Sequence, residues 1–315
     1  MDDSALLDEA LLDELEPVVA RLLDRHLATA REWFPHELVP WSEGRDFRPG
    51  EEWSGGCRPL PAPVRSALFV NLLTEDNLPY YSAEIAGGFG TGGARPVGEA
   101  WGEWARRWTA EEGRHSIVIR DWLTVTRGVD PVALERARMA QVSGGVAPHP
   151  ATALRGLAYV TLQELATRIA HHNTGKLLSG GAGYEIMKRV AGDENLHFLF
   201  YRDAMTAAFE LDPSAAVVAV DAEVRQFAMP GVGIPDFASH ARLIARVGIY
   251  DFAVHHDQIL APLVLRHWRI GEITGLSEAA ERARDALLAH IEKVARAARR
   301  VNERREARQA SAVEV

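Results

Sequence analysis

The chain has 315 residues, 47% of them apolar and 25% charged, enough for one large buried core and too apolar for wholesale disorder. Its single cysteine, Cys57, excludes a disulfide framework, a cysteine-rich zinc site and cysteine-ligated iron–sulfur clusters. The net charge of −9 argues against general nucleic-acid binding, and no stretch approaches the ~18 consecutive apolar residues that a membrane span needs.

The N-terminus opens on acids, with seven in residues 1–16 and no base, where a signal peptide would be basic. A soluble cytoplasmic protein is expected. Ala, Leu, Arg and Glu then recur in a pattern that puts apolar residues three or four apart, and proline and glycine clusters interrupt it. The pattern predicts helices over about 63–86, 96–127, 131–142, 151–178, 183–211, 236–268 and 277–308. Pro262 should kink or break the sixth of these. The run Gly88-Phe-Gly90-Thr-Gly-Gly93 has the letters of a dinucleotide fingerprint but no strand before it, so it reads as a turn between long helices. The chain closes on a basic stretch, Lys293 to Arg308, read as a solvated helix. No linker or alternating β pattern appears. One all-α domain over 1–315 is expected, with residues 1–60 and 277–308 as appendages.

Two helical segments share a pattern, Glu112-Gly-Arg-His115 and Glu194-Asn-Leu-His197. A carboxylate and an imidazole three residues apart lie on one helix face, so both reach one metal. Each pair follows a helix carrying a lone acid among leucines, Glu75 before the first and Glu164 before the second. A buried, unpaired carboxylate is costly, and a metal partner would explain it. The chain therefore reads as a duplicated unit of helix with Glu, turn, and helix with Glu-x-x-His. Two such units make a ferritin-like four-helix bundle, with four carboxylates and two imidazoles at its centre and further helices flanking it. That inventory suits iron or manganese better than zinc.

The same residues carry a family resemblance. Trp108-Thr-Ala-Glu-Glu-Gly-Arg-His115 resembles the WTAEENRH motif of soluble acyl-carrier-protein desaturases, and Thr74-Glu-Asp-Asn-Leu-Pro-Tyr80 resembles their TEEALPTY. Gln163-Glu-Leu-Ala-Thr167 with His171 and Asn173-Thr174 is similar to QERAT…HGNT, and Asp193-Glu-Asn-Leu-His197 to DEKRH. Met229-Pro230, Arg246-Val-Gly-Ile-Tyr250 and Thr274-Gly-Leu-Ser277 echo further shared motifs in the same order, so the likeness runs from about Trp41 to Ser277.

The resemblance implies that Glu75, Glu112, His115, Glu164, Glu194 and His197 hold two irons, with Glu112 and Glu194 shared between them. It gives Thr167 a part in handling protons during oxygen activation, although a helix threonine bonding its own backbone is an equal reading. It places Trp41 and Asp193 in an outer chain leading to His115. The implied activity is the O2-dependent insertion of a cis double bond into a fatty chain borne by acyl carrier protein. Electrons would come from a ferredoxin fed by NADPH, and the enzyme would be a homodimer. Gly113, Arg168, Leu196 and the basic C-terminus depart from the family's pattern. They leave the ligands untouched, but they put in doubt the substrate shape and carrier docking that the resemblance implies. Docking on the acidic carrier is expected at Arg106, Arg107, Arg114 and Arg120, or along Lys293 to Arg308. His171, seven residues after Glu164, shares its face and could support the ligands, although a packed helix histidine is the first reading, and His255-His256 has no counterpart in the family. Related di-iron hydroxylases and N-oxygenases use the same ligands, and ribonucleotide reductase small subunits and iron-storing ferritins share the architecture.

Overall fold

The structure, a computed structural model, describes residues 3–48, 50–54, 60–89, 98–145, 147, 150–229, 231 and 233–313. All regular structure among them is helical. In chain order it comprises α1 (Asp3–Thr29), α2 (Pro35–Leu38), α3 (Ala62–Glu75), α4 (Leu78–Ala86), α5 (Glu99–Thr126), α6 (Pro131–Gly144) and α7 (Ala153–Lys176). The second half holds α8 (Gly181–Leu211), α9 (Pro213–Gln226), α10 (Phe237–Arg246), α11 (Phe252–Val254) and α12 (Glu278–Val313). A π-helical stretch, His255–His267, continues α11. Cys57 and most of the glycine run 88–93 lie outside the described residues.

Helix starts follow local chemistry. Asp130, Thr152 and Asp212 each accept a backbone N–H from the first turn of α6, α7 and α9, and Pro131 and Pro213 sit at helix starts where no N–H is needed. The expected helix 63–86 is two helices, parted at Asp76–Asn77 ahead of Pro79. The expected helix 236–268 is parted over Val247–Asp251, where Gly248 takes a φ of +77° that a side chain would disfavour. Pro262 does not break its helix. It lies within the π-helical stretch, whose wider i→i+5 register takes the ring without the clash that it causes in an α-helix.

Four helices form the centre: α3 touches α5, α5 touches α8, α8 touches α7 and α7 touches α3, which closes a ring. Helix α7 is buried nearly all round, as its leucines, alanines and glycines on every face require. The two ends of the chain are structural parts and not appendages. Leu15, Val19 and Leu23 of α1 join the main core against α5 and α8. Helix α12 packs on α9 and the π-helical stretch through Leu287, Ile291 and Ala298, so the basic C-terminus is anchored along one face. Helix α9 did not figure among the predicted elements.

His255 lies where α11 becomes π-helical. Its Nδ1 is 2.9 Å from the Tyr250 hydroxyl and its ring stacks on Phe227 at 5.3 Å. Burial, reinforced by His290 and His256, pushes its pKa down to about 4. A histidine depressed in this way stabilises the fold fully above its unfolded pKa of about 6.5 and loses that contribution as pH falls toward 4. Between pH 7.5 and 5 the loss should be about 2 kcal/mol. Urea melts of His255→Gln should therefore show a pH-dependent loss smaller by that amount, and identical pH profiles would refute the assignment.

Candidate metal centre

The four bundle helices converge their acids at one level. Glu75 ends α3, Glu112 and His115 stand one turn apart on α5, Glu164 is central in α7, and Glu194 and His197 stand one turn apart on α8. None of the six is more than 6% exposed. They form two overlapping quartets, Glu75–Glu112–His115–Glu194 and Glu112–Glu164–Glu194–His197, each with its ligand-type atoms within 4.8 Å of one another. Glu112 and Glu194 belong to both. Each quartet could hold a cation, and two such cations would share Glu112 and Glu194.

The imidazoles point the same way. His115 Nδ1 lies 3.2 Å from Glu112, 3.7 Å from Glu194 and 3.8 Å from Glu75. His197 Nδ1 lies 2.8 Å from Glu112, 3.6 Å from Glu164 and 3.8 Å from Glu194. Yet His197 Nδ1, Glu112 Oε1 and Glu164 Oε2 are buried with no hydrogen-bond partner. Atoms this close that do not bond one another are aimed at a shared point. Four carboxylates and two imidazoles buried together suit two hard or borderline divalent cations, and the orphaned atoms fit them.

Charge balance in the pocket is uneven. Burial, with Glu194 adding to it, pushes Glu164 well above the usual carboxylate range, and the same two causes push Glu112 up. Glu75 and Glu194 go down instead. Burial opposes this, but the imidazoles of His115 and His171 beside Glu75, and of His171 and His197 beside Glu194, outweigh it.

Behind each imidazole stands the acid that precedes the other helix's glutamate. His115 Nε2 is 3.5 Å from Asp193, which accepts from Trp33 Nε1 at 2.8 Å and Arg114 Nη2 at 3.3 Å. His197 Nε2 is 2.9 Å from Glu111, which also contacts His26 Nε2 at 2.9 Å and Arg107 Nε at 2.5 Å. The duplicated unit is thus acid-Glu-x-x-His. Glu111 and Asp193 occupy the same position in it, a signal visible in the sequence. His26, contributed by α1, carries no such signal.

Two assignments need correction. Trp41 is 51% exposed and donates to the His36 carbonyl, far from the outer chain; Trp33, stacked on His115 at 6.5 Å, occupies that place. His171 is more than a packed helix residue. Its Nε2 is 3.1 Å from Glu75 and 3.5 Å from Glu194, and Asn71 holds its other nitrogen. Burial would lower its pKa, but Glu194 and Glu75 raise it to about 9. Thr167 Oγ1 donates to the Gln163 and Glu164 carbonyls at 3.1 Å, and the residue also borders a small gap against Glu75, Glu164 and Glu194. Both sequence readings of it thus have a structural footing. Trp108 donates to Glu164 Oε1 at 3.0 Å.

Beside this cluster lies a mainly apolar cavity of about 280 Å³. Val70, Met229 and Ile244 line it, and Glu75, Thr167 and His171 form its wall toward the acids.

A family model described as fatty acid desaturase matches residues 8–315. DesA1 of Mycobacterium tuberculosis H37Rv, provisionally named an acyl-[acyl-carrier-protein] desaturase, is 42% identical over 292 residues, covering 90% of this chain and 84% of its own. The chloroplastic stearoyl-[acyl-carrier-protein] 9-desaturase of Spinacia oleracea is 28% identical over 287 residues, 86% of this chain and 71% of its own. Among solved structures, the X-ray structure of the likewise provisionally named acyl-ACP desaturase DesA2 from Mycobacterium tuberculosis H37Rv superposes with a TM-score of 0.68. It shares 25% identity and covers 87% of this chain and 99% of its own.

Proposed function

The chain belongs to the fatty acid desaturase family, and from that premise we propose that it inserts a cis double bond into a fatty chain carried on acyl carrier protein, using two irons held by Glu75, Glu112, His115, Glu164, Glu194 and His197. The observation that carries this reading is the apolar cavity whose wall is Glu75, Thr167 and His171. An alkyl chain in it would lie against the metal-facing acids with no polar group of its own to satisfy. Bound iron would supply oxygen activation and hydrogen abstraction.

The protein's own residues do the rest. Packing of Val70, Met229 and Ile244 excludes water and holds a flexible chain in one pose, which is what selects one C–C bond among many alike. The Thr167 hydroxyl, resting on its own helix, can turn toward the gap to hold a proton between Glu75, Glu164 and Glu194. Trp33 and Asp193 form the route by which electrons from a ferredoxin-type donor would reach His115. The homodimer is part of the same reading. Among the described residues no helix is long and apolar enough to cross a membrane.

The test is mass spectrometry of stearoyl-carrier protein after incubation with the iron-loaded chain, O2 and a ferredoxin–reductase system. A product lighter by two hydrogens supports desaturation. A product heavier by one oxygen would make the protein a hydroxylase, and iron loading far beyond two per chain would make it a store.

A further inference from the structure

Helix α10 carries two stripes. Phe237, Ala241 and Ile244, four and three residues apart, line the apolar cavity. Ser239, Arg242 and Arg246, three and four apart, line a separate surface groove of about 990 Å³, which the turn at Asp251–Phe252 and the end of α12 complete. Across the groove α12 presents Arg304 and Arg305. Four arginines thus face a single lining carboxylate, Asp251, and Arg305 pairs with it. No described carboxylate pairs with Arg242, Arg246 or Arg304, although other surface arginines are taken: Arg120 by Glu135, Arg282 by Glu278 and Arg296 by Glu292. Phe252, 62% exposed, stands at the rim. An acidic protein with net charge −9 has gathered uncompensated positive charge beside an exposed aromatic residue, on the outer face of the helix that closes its apolar cavity.

We propose that this groove between α10 and α12 is the docking surface for the acidic helix of the acyl carrier. The proposal rests on the carrier-bound substrate reading above and adds where the carrier sits. Charge complementarity selects the occupant: three guanidinium groups without a described carboxylate partner suit a helix rich in Asp and Glu, and Phe252 suits an apolar residue in its midst. Geometry fits as well. Only the thickness of α10, about 10 Å, separates the groove from the cavity, so a flexible prosthetic arm can pass round the helix and deliver its chain. Three of the other basic candidates already have carboxylate partners, Arg107 in Glu111, Arg114 in Asp193 and Arg120 in Glu135.

The test measures binding of fluorescently labelled stearoyl-carrier protein to the iron-loaded full chain, independently of turnover. Arg242→Glu with Arg246→Glu should weaken binding about tenfold or more at low salt and flatten its salt dependence. Arg304→Glu on the opposite wall should act in the same direction, and it leaves α10 intact should the double variant misfold. Arg282→Glu with Arg296→Glu, on α12 but outside the groove, should bind as wild type does. Carrier lacking its prosthetic arm should compete for the site; failure to compete would assign the contacts to the arm and overturn helix docking. Unchanged affinity in both groove variants would also overturn the proposal, even if the chain desaturates its substrate. Conversely, groove-dependent binding without any alkene product would leave the docking surface standing and remove the desaturase reading.

Discussion

Glu194→Ala should lose at least one of the roughly two irons per chain and at least about 10³-fold in turnover, because a carboxylate common to both quartets has no replacement. Iron content and product formation in the purified variant check this, and a variant with full iron and wild-type turnover would refute the assignment. A companion measurement needs no turnover at all. Glu164 is pushed well above the usual carboxylate range by burial and Glu194, so at neutral pH burying this acid costs the metal-free fold stability. Glu164→Gln keeps the acceptor for Trp108 Nε1 and removes that burden. The metal-free variant should therefore melt higher than metal-free wild type at pH 7.5. The advantage should disappear below about pH 4, where the acid is protonated in both folded and unfolded states. With iron bound the order should reverse, since a ligand is gone. A variant less stable than wild type in both states would mean that Glu164 is an ordinary buried acid.

The four central helices and the six converging side chains were legible because their signals are periodic. Glu-x-x-His repeats on two helices, and each repeat follows a lone acid set among leucines, as Glu75 is by Leu72 and Leu73. Periodicity says nothing about partners from distant segments. His26 reaches Glu111 only because α1 packs across α5 and α8, and no local pattern in residues 1–29 announces that packing. Trp33 and Trp41 are only eight residues apart and look alike in sequence. What separates them is the turn around α2, which buries the first at 3% exposure and leaves the second at 51%. Helix α9 went unseen because Pro213 and Pro230 mark a gap as readily as a helix start. The basic C-terminus is a helix with its bases largely exposed, as read; the part missed is the narrow apolar stripe of Leu287, Ile291 and Ala298 that anchors it, easily lost among seven bases.

The acids behind the two imidazoles lead to the second large effect. Glu111 hydrogen-bonds His197 Nε2 at 2.9 Å, and Asp193 lies 3.5 Å from His115 Nε2, so each ring has an acid behind it while Nδ1 is turned to the pocket. An acid behind a metal-bound imidazole sets its tautomer and ring angle, and its loss commonly costs about 10–100-fold in metal affinity. Asp193→Ala should weaken the position beside Glu75 and His115, and Glu111→Ala the position beside Glu164 and His197. Titration of the metal-free variants with cobalt(II), followed by its visible absorption, should then show one weakened step in place of two tight ones. The weakened step should belong to a different position in each variant. The supporting shells are unlike, Trp33 and Arg114 on one side and His26 and Arg107 on the other, so the residual affinities should differ too. Trp33→Phe keeps the ring stacked on His115 but leaves Asp193 without its 2.8 Å donor, and should reproduce part of the Asp193→Ala effect. Trp41→Ala should change neither step, because its indole bonds only the His36 carbonyl at the surface. A Trp41 effect equal to that of Trp33 would overturn the outer chain drawn here and restore the assignment that the sequence resemblance suggests.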